Sequence, residues 1–261
     1  MSETEDFLRR YARNISLPQI GKHGQELLTD AKVLIIGAGG LGSPVAMYLA
    51  ASGVGNIGII DGDQVELSNL QRQLLFTTAD IGKSKAELAK KRLLAINPNI
   101  EIIAYNNKLN SVNAKKIISN YDIVADGSDN FSTRFLVNQV CFDLKKTLVS
   151  GAVSGFSGQI ATFKAYINGN PCYRCFCPDL PPDAELPICI DGGVLGPACG
   201  IIASIQATEV IKEILSIGDS LSGFILIYNS LNNSFRKIIL KPNHNCVVCG
   251  THVKQVKYAK I

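Results

Sequence analysis

A short, wholly apolar run, Val33-Leu34-Ile35-Ile36, leads straight into Gly37-Ala38-Gly39-Gly40-Leu41-Gly42 and then into residues 43–51, whose composition is helical after the early Pro44. The order is strand, glycine loop, helix. Glycine at Gly37, Gly39 and Gly42, with Gly40 in the same loop, lets the main chain approach a phosphate group at the positive end of the following helix. A second apolar run, residues 57–60, stops at Asp61, 19 residues beyond Gly42. A carboxylate there can accept hydrogen bonds from ribose hydroxyls, and Asp63 lies in the same segment. A tight turn without a ligand is the competing reading. The flanking strand and helix together with Asp61 favour a bound nucleotide.

The alternation continues along the chain. Residues 84–96 carry apolar side chains at helical spacing and end at Asn97-Pro98, and residues 99–104 are strand-like. Ser111 can cap a helix through residue 119, residues 123–125 read as a buried strand ending at Asp126, Ser132 can cap a helix to residue 143, and residues 148–150 are another short strand. Beyond Gly151 come a strand at 159–166, a Cys- and Pro-rich stretch at 171–187, a helix at 200–215, and a strand pair, 224–228 and 235–240, across Asn232-Asn233. The expected fold is α/β: a Rossmann-like, mostly parallel sheet with helices on both faces and an antiparallel C-terminal extension. Without a repeat or a low-complexity linker, the expectation is one domain over 1–261, with an N-terminal arm at 1–30, a nucleotide-binding half at 31–150 and a second half at 151–261.

Charge narrows the partners. The formal charge of +4, on 26 basic and 22 acidic residues, is mild and dispersed, so no nucleic-acid footprint is expected. The polar start of the chain lacks a signal-peptide pattern and no run reaches the ~18 apolar residues of a membrane span, so a soluble, cytoplasmic protein without membrane contact is expected.

Which nucleotide binds depends on residues outside the loop. Arg72, in Ser68-Asn69-Leu70-Gln71-Arg72-Gln73, and Lys85 follow Asp61 in an order that suits a polyphosphate, whose charge two fixed cations neutralise. Read alone, each is an ordinary surface charge. Asp126-Gly127-Ser128-Asp129-Asn130 follows a buried strand, at the end of the sheet where open α/β folds place ligands. Asp129 can meet phosphates there if Mg²⁺ bridges the two anions; a loop-capping aspartate is the alternative.

Eight cysteines in a reducing compartment argue for metal or thiol chemistry rather than disulfides. Cys172-x-x-Cys175 and Cys246-x-x-Cys249 supply the four thiolates of a closed, structural zinc site, with redox pairing as the alternative. Cys177 is read as a bystander, and Cys141 and Cys199 as core.

Taken together, Gly37 to Ser43, residues 68–73, Gly82-Lys83-Ser84-Lys85, residues 126–130 and Cys172-Tyr173-Arg174-Cys175 resemble the MoeB/ThiF family, bacterial relatives of ubiquitin-activating enzymes, and the match runs from Arg10-Tyr11-Ala12-Arg13 to Cys246-Val247-Val248-Cys249. The resemblance implies ATP over the glycine loop with Asp61 on the ribose, Asn69, Arg72 and Lys85 on the phosphates, and Asp129 as the essential Mg²⁺-binding aspartate. It implies a homodimer in which Arg13 enters the partner subunit's ATP site. The implied reaction is adenylation of the C-terminal Gly-Gly carboxylate of a ubiquitin-like sulfur carrier of MoaD or ThiS type, which docks on 151–261, in molybdopterin or thiamine-thiazole synthesis. A separate protein is then expected to donate the sulfur. Cys189 matches a cysteine that some members use for a sulfur-linked intermediate and is otherwise an inert thiol; the Ile190-Asp191-Gly192 that follows departs from either subgroup. An NAD-dependent oxidoreductase, a non-catalytic nucleotide-binding scaffold and a peptide-adenylating relative are the competing functions.

Overall fold

A computed structural model describes residues 3–167, 169–179 and 193–250. Three helices open the chain, α1 (Glu3–Arg10), α2 (Ala12–Ile15) and α3 (Gly21–Asp30), followed by β1 (Lys32–Ile36), α4 (Gly42–Ala51) and β2 (Asn56–Ile60). Two short 3-10 turns, Leu67–Asn69 and Thr78–Asp80, precede α5 (Lys85–Ile96), β3 (Glu101–Tyr105), α6 (Ala114–Ile118), β4 (Ile123–Asp126) and α7 (Phe131–Asp143). The chain continues with β5 (Thr147–Ser154), β6 (Ser157–Phe163), α8 (Tyr173–Phe176), α9 (Gly196–Leu215), β7 (Phe224–Asn229) and β8 (Ser234–Ile239).

The eight strands among the described residues belong to one sheet, in the order β3-β2-β1-β4-β5-β6-β7-β8. The pairings from β3 across to β5 are parallel, and those from β5 across to β8 are antiparallel. The continuous apolar runs read from the sequence are continuous because both faces are covered. Val33, Ile35, Ile57, Ile59, Ile123, Ala125 and Val149 point to one side, against α3, α4, α5 and α9. Their alternating neighbours Leu34, Ile36, Ile60, Val124 and Leu148 point to the other, against α6, α7 and Tyr173 of α8. The period of two along each strand therefore divides the interior into two cores.

Strand order reverses between β1 and β4, because the chain runs outward from β1 through β2 and β3 and returns to pair β4 on β1's other side. That reversal opens a crevice beyond the carboxyl ends of β1 and β4, the place where a ligand fits an open α/β sheet.

Several helix starts differ from the sequence expectation. Ser111 does not cap α6. Asn110 turns the chain instead, its Oδ1 accepting from Val112 N at 2.9 Å and Asn113 N at 3.1 Å, and the helix begins at Ala114. Ser132 lies inside α7, whose cap is Asn130, with Oδ1 accepting from Thr133 N at 2.9 Å. Asparagine wins both positions because its carboxamide reaches an amide two or three residues on while the backbone turns. Helix α9 starts four residues before Gly200, at Gly196, where Pro197 occupies the first turn and needs no amide partner. Cys141 and Cys199 are buried, as expected.

Candidate nucleotide site and four-cysteine cluster

Between β1 and α4 the glycine loop is drawn tight. Gly37 sits at φ +83°, in the left-handed region, and a Cβ on Gly42 would lie 1.7 Å from the Gly37 carbonyl oxygen. Ser43 Oγ donates to Ala38 O at 2.7 Å and locks the loop to the start of α4. The first amides of that helix have no partner within it and present a positive end to an anion. The loop following β4 packs alongside, since a Cβ on Gly37 would stand 3.4 Å from Gly127 O.

Asp61, at the end of β2, accepts from Ala38 N at 2.7 Å and from Asp63 N at 2.8 Å, one bond to each carboxylate oxygen. Burial raises its pKa, opposed by those two amides and by Lys85. Each oxygen keeps a lone pair with which to accept from a hydroxyl. Lys85 is the first residue of α5 and is 6% exposed; its Nζ lies 3.5 Å from Asp63 Oδ2, the partner it has among the described residues. Lys85 N also donates to Asp63 O at 3.1 Å, which brings two residues 22 apart in sequence to one side of the site.

Arg72 lies over the loop, its Cγ 3.3 Å from where a Cβ on Gly40 would be, and its Nη1 donates to Ser68 O at 3.1 Å. Buried Asn69 shapes the segment by accepting from Glu66 N through Oδ1, while Arg72 N and Gln73 N donate to its carbonyl. The start of α9 closes the other side, for a Cβ on Gly196 would meet Gln71 O at 2.6 Å. Asp129 is exposed, and among the described residues Asn130 Nδ2, 3.4 Å from Oδ1, is its one hydrogen-bond partner. The second oxygen is free, which suits a hard cation that takes one or two carboxylates and keeps its remaining positions for phosphate and water.

Arg13 is elsewhere. It is exposed on α2, and its neighbour Asn14 reaches Ser52 O, just past the C-terminal end of α4. The glycine loop is at the opposite end of that 10-residue helix, about 15 Å away.

The Sγ atoms of Cys172, Cys175, Cys246 and Cys249 all lie within 4.8 Å of one another. Cys172 and Cys246 are 3.5 Å apart, and Cys175 and Cys249 3.4 Å. Four thiolates around a tetrahedral zinc stand about 3.8 Å apart for Zn–S bonds of about 2.3 Å, so the donor set fits. Hydrogen bonds from Cys172 and Cys249 and from the Asn243 amide hold the Cys175 thiol below its usual range. Cys177 stands outside the group, with its Sγ near Asp179 O. The cluster packs on Phe142, near the end of α7. Asn130 and the nucleotide crevice are at the other end of this 13-residue helix, about 20 Å off, which gives the cluster a bracing role rather than one in the crevice. Cys189 lies outside the described residues.

A model of the ThiF family matches residues 11–248. The chain belongs to the ThiF family. Among curated ThiF-like relatives it is 46% identical over 258 residues to a sulfur carrier protein adenylyltransferase of Thermus thermophilus, covering 98% of this chain and 95% of that one. It is 46% identical over 253 residues to a probable molybdopterin-synthase adenylyltransferase of Porphyra purpurea, covering 95% of this chain and 64% of the relative. It is 44% identical to the adenylyltransferase and sulfurtransferase MOCS3 of Aedes aegypti, covering 96% of this chain and 57% of the relative. The chain thus spans nearly all of the first and somewhat over half of the other two. Among solved structures, Escherichia coli MccB with MccA-N7isoAsn superposes with TM-score 0.80 at 27% identity, covering 93% of this chain and 75% of that one. MccB with ATP gives 0.76 at 27%, covering 92% and 73%.

In this ThiF-family chain the fold brings the glycine loop, Asp61, Asp63, Asn69, Arg72, Lys85 and Asp129 to one crevice and leaves Arg13 and the four cysteines outside it. Sequence reasoning missed Arg134 and Gln206, both nearly fully buried beside Asp126. It also passed over Gln73, 4% exposed, whose Nε2 lies 3.6 Å from where a Cβ on Gly39 would be and whose Oε1 has no partner among the described residues. Gln206 carried a signal, a carboxamide set between the apolar Ile205 and Ala207 of α9. Arg134 carried none in isolation, because an arginine in an amphipathic helix reads as a solvated charge.

Proposed function

We propose that this chain is an ATP-dependent adenylyltransferase acting on the C-terminal Gly-Gly carboxylate of a small ubiquitin-like sulfur carrier of MoaD or ThiS type. The observation that carries this is the convergence, at the point where strand order reverses, of a phosphate-binding glycine loop, a ribose-facing carboxylate, two cations and a further carboxylate. A carboxylate oxygen of the carrier attacks the α-phosphorus of ATP, the bond to the bridging oxygen breaks, and pyrophosphate leaves with an acyl-adenylate remaining. The nucleophile is already ionised at neutral pH, so the chain's residues align and neutralise. The glycine loop and the start of α4 cradle phosphate, Asp61 holds the ribose, and Arg72 and Lys85, with Asn69 shaping the segment, balance the charge that gathers on the leaving pyrophosphate. Asp129 would hold Mg²⁺, which when bound offsets phosphate charge.

The four cysteines would hold zinc, clamping the start of the Cys- and Pro-rich stretch to residues 246–249. Arg13 would act in a homodimer as a cation reaching the partner subunit's ATP site, in keeping with its distance from the loop of its own chain. The carrier would dock on 151–261 of a single adenylation domain, and a separate protein would supply sulfur. No helix among the described residues is long and apolar enough to cross a membrane; the cytoplasm is the proposed compartment. The names of the relatives favour molybdopterin synthesis over the thiazole pathway. A dehydrogenase has no use for Arg72, Lys85 and Asp129 as a set, and no relative reported above carries that name.

The test is ATP–pyrophosphate exchange with purified protein and MoaD-like or ThiS-like carriers, wild type against Asp129→Ala. Exchange that requires a carrier and disappears in the variant supports the reading. Exchange with a short peptide but no carrier would favour the peptide-adenylating alternative, and ATP binding without exchange on any acceptor would leave a non-catalytic scaffold.

A further inference from the structure

Beneath the exposed Asp129 lies a buried pair of charges that the reaction does not itself use. Asp126 is 0% exposed and Arg134 2%. Arg134 Nη2 donates to Ser128 O and, at 2.7 Å, to Gly151 O, Nη1 donates to Ser150 Oγ at 3.1 Å, and Nη1 stands 3.9 Å from Asp126 Oδ2. Asp126 Oδ1 accepts from Ser128 N at 2.9 Å. Ser128 is therefore gripped at both its amide and its carbonyl, and the next residue is Asp129. Helix α9 braces the same corner, since Gln206 Nε2 donates to Asp126 O at 3.0 Å and Val149 O at 2.9 Å.

Stability alone is a poor explanation for this arrangement. Desolvation of two charges offsets most of their attraction, and a well-packed apolar pair serves a core at least as well. The pair is also incompletely satisfied, with Asp126 Oδ2 and Arg134 Nε lacking a hydrogen-bond partner among the described residues. What the planar guanidinium does achieve is geometric: it holds three acceptors at once, Ser128 O in the loop after β4 and Gly151 O and Ser150 Oγ in β5, which a lysine's single ammonium cannot reproduce.

We propose that Arg134, through Asp126 and Ser128, is a positioning residue that sets where the Asp129 carboxylate stands relative to the nucleotide phosphates. The inference rests on the reading of Asp129 as the Mg²⁺-binding carboxylate. It applies to the free enzyme and needs no carrier protein.

The experiment is calorimetric ATP binding with and without Mg²⁺ in wild type, Arg134→Lys, Asp129→Asn and the double variant. In Arg134→Lys, ATP affinity without Mg²⁺ stays at the wild-type value, while the gain conferred by Mg²⁺ falls about tenfold, or ~1.4 kcal/mol, the size of coupling inside one hydrogen-bonded network. The double variant binds as Asp129→Asn alone does. If Asp129→Asn keeps the full Mg²⁺ gain, the reading of Asp129 fails. If Asp129→Asn loses the gain while Arg134→Lys keeps it, or if the two losses add in the double variant, the positioning role is overturned. Should Arg134→Lys not fold, Ser150→Ala removes one acceptor of the fork and is expected to lose part of the same gain; an unchanged gain there overturns the proposal as well.

Discussion

Replacing Lys85 with methionine separates a residue kept for function from one kept for structure. Its side chain is 8% exposed, yet its partner, Asp63, is 3.5 Å away with a side chain 56% exposed. A pair with one solvated member is worth at most about 1 kcal/mol, whereas removing the ammonium from a buried site relieves a desolvation penalty of at least that size. Asp63, being exposed, loses little with its partner, and buried Asp61, which also feels the Lys85 charge, keeps its two backbone amide donors. Lys85→Met is therefore expected to leave stability unchanged or raise it by about 1 kcal/mol, a melting temperature higher by about 2–4 °C for a chain of this length. The same change removes a charge-assisted hydrogen bond to phosphate, about 1.5–3 kcal/mol, so kcat/KM for ATP–pyrophosphate exchange falls by roughly 10- to 150-fold. Thermal denaturation without nucleotide, alongside exchange kinetics, reads both quantities. Lower stability by more than about 1 kcal/mol, together with wild-type activity per folded molecule, would refute the reasoning and make Lys85 a structural residue.

Three further changes address other parts of the molecule. Gly42→Ala would put a methyl group 1.7 Å from Gly37 O, so the loop must open; ATP affinity measured by calorimetry is expected to drop at least about tenfold even in protein that stays folded. Cys246→Ser is expected to remove zinc, measured by metal analysis, and to lower the melting temperature by roughly 5 °C or more, while ATP binding at the distant crevice survives. Asp80, 5% exposed, has its pKa lowered by the Thr77 hydroxyl and amide and by Arg92 and Lys83. A depressed folded pKa gives stability that is present above the unfolded value near 3.9 and lost as pH falls through the folded one, so Asp80→Asn should flatten the fall in denaturant stability below about pH 4 and lower the plateau at neutral pH.

Much of this molecule is legible along the chain because the relevant physics is local. Apolar runs of three or four residues that stop at glycine or aspartate specify parallel strands buried on both faces, Gly37 is needed for its left-handed φ, and Gly42 because a Cβ there would collide with the Gly37 carbonyl. The two Cys-x-x-Cys pairs announce four sulfur ligands. Helix starts were less legible, as Asn110 and Asn130 show: a serine nearby carries the same signal, and the choice depends on which side chain the incoming backbone aims at an amide.

Other features belong to the tertiary structure alone. The pairing of β4 on the far side of β1 is what joins the loops at Gly37 and Gly127, and the return of residue 85 to residue 63 is what buries Lys85 against Asp63. The meeting of Arg134 with Ser128, Ser150 and Gly151, and of Cys172 with Cys246, likewise depends on register and crossovers between segments up to 74 residues apart. The sequence determined which chemical groups are present and which stretches can be strand, helix or turn, since those follow from side-chain and backbone preferences within a few residues. Only the packed sheet decided which of those groups meet, because a contact across the fold exists only when every intervening element has found its place.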